Sequence, residues 1–197
     1  ISGKSYVQTS EILNYTPKNM KDVFGRPQSL EDFGKEASKN IVWISEEYKN
    51  KGKLDFIKRG DNESSPAEII VPWFLVKDGK KIPISEFMTD GFLDFTKIDP
   101  KLLEMHGFRI PNQAHSSMMH FKIVGFLPEG MGDTLIVPSE IAIQMGSDYD
   151  VDKLYAYFYE WEIIDGKTVK KKSPINDLID IHKAVLLTKE MFDIVTK

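Results

Sequence analysis

Three aspartates fall within five residues in the stretch "GSDYDVDKLY", at Asp148, Asp150 and Asp152. Alternate side chains on one face of an extended strand stand about 6.5–7 Å apart. A Mg²⁺ ion takes its oxygens at about 2.0–2.1 Å. A flat strand therefore cannot bring all three carboxylates onto one ion, and a chain that uses them together must curl here. Gly146, just upstream, permits a tight turn. A divalent cation would cancel the mutual repulsion and hold the carboxylates ionised. Oxygen-only ligands suit Mg²⁺, Mn²⁺ or Ca²⁺ rather than zinc. A solvated acidic turn ahead of a strand fits the same residues. An EF-hand loop does not: its sixth and twelfth positions call for Gly and Glu, and Lys153 and Tyr159 stand there. A phosphatase-type Asp-x-Asp, whose first Asp is a nucleophile after a buried strand, meets "IQMGS" upstream and no partner motifs.

The 197 residues fit one domain or two small ones, with roughly 70% of the unfolded surface buried on folding. A net charge of −4 argues against a module that grips nucleic acid by charge alone, but not against a catalytic piece of a larger machine. With no cysteine, disulfides and thiolate metal sites are excluded. No apolar run approaches the ~18 residues of a membrane span, and no basic-plus-apolar signal region opens the chain. The sequence begins "ISGKSYVQ" without an initiator Met, which reads as a fragment, a processed product or a trimmed chain.

Residues 1–27 show no clean period. "SLEDFGKEASKNIVWISEEYKNKG" reads as a helix, with Leu30, Phe33, Ala37, Ile41, Ile44 and Tyr48 at helical spacing, Ser29 as its cap and Gly52 at its end. Arg59 to Glu68 reads as a polar loop, and "EIIVPWFLV" as a buried strand broken at Pro72. "DPKLLEMHG" has the marks of a short helix: Asp99 as cap, Pro100 first, Gly107 as stop. "FKIVGFL" and "DTLIVP" read as strands around the turn "PEGMG". "KLYAYFYEWEII" reads as one long strand, turning at Asp165–Gly166 into "KTVKKK". The period-2 series Tyr155, Tyr157, Tyr159 and Trp161 reads as a packed sheet face before a base-stacking surface. Lys170 to Lys172 read as a solvated hairpin end before a phosphate contact. The C-terminal stretch from Ser173 is a capped helix.

The run Gly107 to Tyr155 resembles the catalytic segment of the largest subunit of multisubunit RNA polymerases. That family has Arg-x-Pro, then His and Ser, then a strand pair closed by Pro, then an aspartate loop. Arg109 and Pro111 match the first element. His115 and Ser116 follow, the His one residue later than in cellular members. Pro138 closes the strand, and Asp148, Asp150 and Asp152 take the aspartate positions. The Gly-Ser-Asp-Tyr-Asp-Val-Asp-Lys-Leu loop is most similar to that of the large RNA polymerase polypeptides of crAss-like bacteriophages, and "SPAEIIVP" at Ser65 to Pro72 also looks like family sequence.

The resemblance implies an α+β fold: a double-psi β-barrel-like catalytic core with flanking helices. It divides the chain into a mainly helical segment at 1–64, a β-barrel-like catalytic region with a helical insertion at 65–172, and a C-terminal helix at 173–197. It implies Mg²⁺, with Mn²⁺ as substitute, on Asp148, Asp150 and Asp152, and nucleotidyl transfer to an RNA 3′ end by the two-metal clamp. Arg109, His115 and Lys153 become substrate-binding residues, Arg109 beside the ribose. The implied partners are DNA template, RNA product, nucleoside triphosphates and a second β-barrel, in the cytoplasm of an infected bacterial host or in the virion, with no membrane. A nonenzymatic metal-binding or interaction domain and a metal-dependent phosphohydrolase are the competing expectations. Two positions depart from the cellular pattern. Val151 replaces a Gly between the second and third aspartates and resists positive φ. Gly146 replaces the Asn that senses the sugar, which puts ribose discrimination in question.

Overall fold

The protein is described from a computed structural model covering residues 2–9, 40–51, 53–61, 63–109, 117–145 and 153–195. It is a mixed α+β structure whose largest part is a strongly curled sheet. The strands, in chain order, are β1 (Ser2–Thr9), β2 (Val42–Trp43), β3 (Ala67–Val71), β4 (Phe74–Lys77), β5 (Lys80–Pro83), β6 (Met88–Thr89), β7 (Phe92–Leu93), β8 (Glu104–Phe108), β9 (Met118–Phe126), β10 (Thr134–Val137), β11 (Lys153–Phe158), β12 (Trp161–Ile164) and β13 (Lys167–Lys170). Five neighbours, β9-β3-β10-β1-β11, curl into a half-barrel, with β2 outside β9 and β8 beside β11. The line of pairings also returns on itself, because β8 pairs with β9 as well. The pairs β1–β10 and β3–β9 are parallel, and the other contacts in this sheet are antiparallel.

The core is built around β3 and β9 and extends to residues of the flanking hairpins and the C-terminal helix. All five residues of β3 are buried, and so are seven of the nine in β9. Such continuous burial, without alternation, is what a strand covered on both faces requires. Phe121, Phe126, Ile69, Ile123, Leu135 and Ile136 carry much of it, each contributing roughly 1.5–3 kcal/mol for a full side chain removed from water. Glu68 is the exception on β3. Its carboxylate accepts from Lys51 Nζ at 2.7 and 2.8 Å and from the Asp55 backbone N–H at 2.8 Å, which satisfies a buried charge and fastens the short helix Glu46–Lys51 to the sheet.

Several expectations hold: β3 ends at Pro72, β9 and β10 flank a 3₁₀ turn at Glu129–Met131, and β12 and β13 form a hairpin. At its tip Asp165 and Gly166 both take positive φ (50° and 77°), the backbone of a type I′ turn. Four others are corrected. The helix expected to run to Gly52 is interrupted, since Val42 and Trp43 pair with Phe126 and Gly125. Ile41, Trp43 and Ile44 are buried there, so tertiary packing overrides the helical spacing. Residues 29–39 lie outside the described residues.

The helix expected over Asp99–Gly107 stops after one 3₁₀ turn, Pro100–Leu102, although Asp99 does accept from the Lys101 N–H at 3.0 Å. Glu104 to Phe108 instead form β8, held by β9 on one side and β11 on the other. Gly107 is no helix stop but a close-packing point: a Cβ there would meet Phe121 Cε2 at 2.6 Å and Leu154 Cδ2 at 2.8 Å. The long strand after Lys153 breaks at Tyr159–Glu160, where Asn176 accepts from the Glu160 N–H and donates to its carbonyl, both at 2.8 Å. The C-terminal helix starts as expected, with Ser173 accepting from the Asn176 N–H, but divides into Pro174–Leu186 and Lys189–Val195. The Leu187 carbonyl accepts from the Ser64 N–H, and Thr188 bridges to Glu63. Strand β1, paired with β10 and β11, comes from a stretch without a readable period.

Candidate functional site

Asp148, Asp150, Asp152 and His115, with Pro111, Ser116, Gly146 and Val151, lie outside the described residues. The structure does describe the residues that bracket them. Arg109 follows β8 and Ser117 precedes β9, and the Arg109 N–H donates to the Ser117 carbonyl at 3.1 Å. These two close residues 110–116. Met145 ends the helix Ser139–Gln144 and Lys153 opens β11, so these two bracket residues 146–152.

The two brackets meet. In register, Phe108 pairs with Tyr155 on β11 and with Met118 on β9, so the end of β8 lies beside the starts of both. Arg109 Nη1 then donates to the Met145 carbonyl at 2.8 Å, across 36 residues of sequence. That carbonyl lies at the C-terminal end of its helix, where backbone oxygens lack intrahelical donors and partial negative charge collects. A guanidinium is well suited to it, being permanently charged with donors in a rigid fork. Met145 is buried, Arg109 is half-buried and Lys153 is exposed, in register with Tyr6 of β1. The chain positions flanking both stretches that carry the resemblance are thus at one end of the curled sheet. Among the described residues, no group of three or more His, Asp or Glu side chains is arranged to hold a metal ion.

The aromatic series does not form one face. Tyr155 and Tyr157 both stack against Phe108, at 5.5 and 5.3 Å between centroids, while Tyr159 and Trp161 are buried beyond the end of β11. Met119 is buried and Met118 half-buried. Lys170 lies 4.1 Å from the Tyr159 ring centroid and pairs with Asp180 at 2.5 Å, so it is committed within the fold. Lys171 and Lys172, just past the end of the hairpin, are both exposed.

A second polar cluster, with no signature in the sequence, occupies the other end of β8. His120 Nδ1 lies 2.9 Å from His106 Nδ1, and His120 Nε2 lies 3.1 Å from Glu104 Oε2. Lys183, from the helix Pro174–Leu186, donates to both Glu104 oxygens at 2.8 and 2.6 Å. The His182 ring stacks on His106 at 5.6 Å. Burial pushes both buried imidazoles towards neutrality, His106 to about 4. Burial alone would raise the Glu104 carboxyl, but the bonds from His120 and Lys183 outweigh it and bring it down to about 2. Nearby, the Tyr159 hydroxyl donates to Asp180 at 2.8 Å. The partners come from β8, β9 and a distant helix, so no local spacing could have announced them.

No model of a known protein family matches this sequence, and no curated protein matches it.

Proposed function

We propose that this chain is a catalytic-core segment of a DNA-directed RNA polymerase of the multisubunit type, similar in its motifs to large phage polymerase polypeptides. The observation that carries the reading is the Arg109–Met145 bond. It joins the flank of the Arg-x-Pro stretch to the flank of the aspartate loop, which a shared site requires and which an unrelated acidic turn does not. The curled sheet supports the finer fold, a double-psi β-barrel-like core, through its two parallel pairs within a returning set of strand pairings.

In this reading Asp148, Asp150 and Asp152 hold Mg²⁺ or Mn²⁺, a fit to their hard oxygen donors. The chemistry such ions supply when bound is stabilisation of the attacking and leaving oxygens of an in-line displacement. The chain's own contribution is placement. Arg109 bonds the end of the helix from which the aspartate loop departs, and the resemblance assigns the same residue to the ribose. His115 and Lys153 are assigned to the nucleotide. DNA template, RNA product, nucleoside triphosphates and a second β-barrel complete the proposed assembly, in the infected host's cytoplasm or the virion. Among the described residues no helix is long and apolar enough to cross a membrane.

Manganese binding, followed by electron paramagnetic resonance, tests the site. The chain should bind Mn²⁺, and Asp150→Asn should weaken it at least tenfold. Equal binding by both, or none by either, sinks the metal loop. Nucleotide addition to an RNA 3′ end on a DNA template, by the native assembly carrying this chain, tests the activity. Asp150→Asn should lower it by at least about a thousandfold, since placement and charge stabilisation supply most of the catalysis. An unaffected rate would exclude the polymerase reading.

A further inference from the structure

The hydrogen bonds around His106 fix its proton inventory. Glu104 is ionised and accepts only, so His120 must present Nε2–H to it. A neutral His120 then has a lone pair on Nδ1, and His106 must donate its Nδ1–H across the 2.9 Å contact. A neutral His106 consequently carries a lone pair on Nε2. That atom is buried and makes no hydrogen bond of normal geometry, although the Ile179 backbone of the helix interacts with the His106 ring. The chain Glu104, His120, His106 therefore has one open position for an added proton, and it lies at the seam with the helix Pro174–Leu186.

We propose that the His106–His120 pair is an acid-sensitive latch that releases the middle of the helix Pro174–Leu186 from the sheet when one proton enters at His106 Nε2. The groups facing the latch come from every element packed on it. β8 contributes Glu104, β9 contributes His120, and the helix contributes Asp180, His182 and Lys183. Beyond them, Tyr159 and Lys170 bind Asp180. Burial, His120 and His182 oppose a charge on His106, while the Ile179 backbone and Glu104 favour it less strongly. Lys183 is already held at the same seam. A second cation there has to be hydrated, and separating the helix admits the water. The N-terminal end of the helix is held independently, by Asn176 on Glu160 and on the Lys171 carbonyl, so release need not detach the whole element. The helix turns an apolar outer stripe, Ile175, Leu178, Ile181 and Val185, to solvent, and its inner face joins the core through Ile179 beside these polar attachments.

The sign is set by His106. Its docked form holds a proton less tightly than a solvent-exposed imidazole, so docking is fully favoured above about pH 6.5. It weakens as pH falls towards about 4, by at most roughly tenfold per pH unit.

The absence of cysteine makes single-thiol protection a clean probe. Ile179→Cys reports the helix seam and Val124→Cys, in β9, the sheet core, each labelled relative to an unfolded control at the same pH. Between pH 7.5 and 5.0, protection at position 179 should fall roughly 30-fold while position 124 stays protected. In the His106→Phe background the fall at 179 should vanish. No fall, a joint fall at both positions, or an unchanged fall with His106→Phe overturns the latch. If His106→Phe does not fold, NMR of the unmodified chain decides. The His106 ring and the helix amides should titrate with one midpoint, and titration of either without the other overturns the proposal.

Discussion

The two ends of β8 solve the problem of buried polar groups in different ways. At its start, Glu104 and His106 join His120 and Lys183 in a cluster drawn from three elements, in which hydrogen bonds and ion pairing offset desolvation. At its finish, Arg109 donates a side-chain hydrogen bond to a backbone carbonyl at a helix end. The first arrangement depends on protonation state, because two of its members are imidazoles and one is a carboxylate. The second does not, because a guanidinium stays charged at any pH the fold survives. A single strand thus carries a pH-dependent seam and a pH-independent bracket, about five residues apart.

Gly107 lies between them, and its substitution should have the largest effect. Gly107→Val drives a branched side chain into Phe121 and Leu154, both fully packed. Overpacking of this kind should cost about 3 kcal/mol or more, measured as a lowered urea midpoint at unchanged slope. It should also disturb both ends together. Full stability in Gly107→Val would mean that β8 is not wedged between β9 and β11.

Acid should then separate the ends. His106 is bound in a neutral form, so its contribution is present above about pH 6.5 and declines as pH falls to about 4. Glu104 is bound ionised, so its contribution is present above about pH 4.5 and declines towards about 2. Between pH 6.5 and 4 the His106 loss should approach about 3 kcal/mol, and Glu104→Gln at neutral pH should cost about 2 kcal/mol by leaving Lys183 and His120 without their carboxylate. Urea titrations across this range give both values. A flat profile from pH 6.5 to 4 would remove the contrast between the two ends.

These effects also show what the sequence could disclose. β3 and β9 were readable from continuous apolar runs, and the β12–β13 turn from its Asp-Gly pair, because those signals are local. β8 was not. Pro100 and Asp99 begin a helix chemically, and only pairing with β9 and β11 turns Glu104 onward into a strand. Ile41 and Ile44 fit a helical face equally well and are buried by a different route. The seam cluster was invisible for a similar reason, since Glu104 and Lys183 are 79 residues apart. The bracket was half legible: Arg109 stood out through its motif, but its bond to Met145 did not. The aspartates themselves remain a reading of the sequence.

Arg109→Met tests the bracket with a smaller effect on stability. The loss of one half-buried bond should cost about 1 kcal/mol, and Mn²⁺ affinity should fall severalfold if the helix end positions the aspartate loop. Stability loss without any change in Mn²⁺ affinity would reduce Arg109 to a structural residue.

The smallest expected quantity is the coupling between the ends. Glu104 and Arg109 are separated along an extended strand by roughly 17 Å, and the bonds of Glu104 go to His120 and Lys183 while Arg109 bonds Met145. In a double-mutant cycle, Glu104→Gln and Arg109→Met should therefore add to within about 0.5 kcal/mol at pH 7. Additivity would mean that acid can loosen the helix seam without disturbing the proposed metal loop. A coupling well above that value would instead mean that β8 moves as a rigid bar. In that case protonation at His106 would also shift Arg109, and Mn²⁺ affinity would fall with pH in wild type but not in His106→Phe.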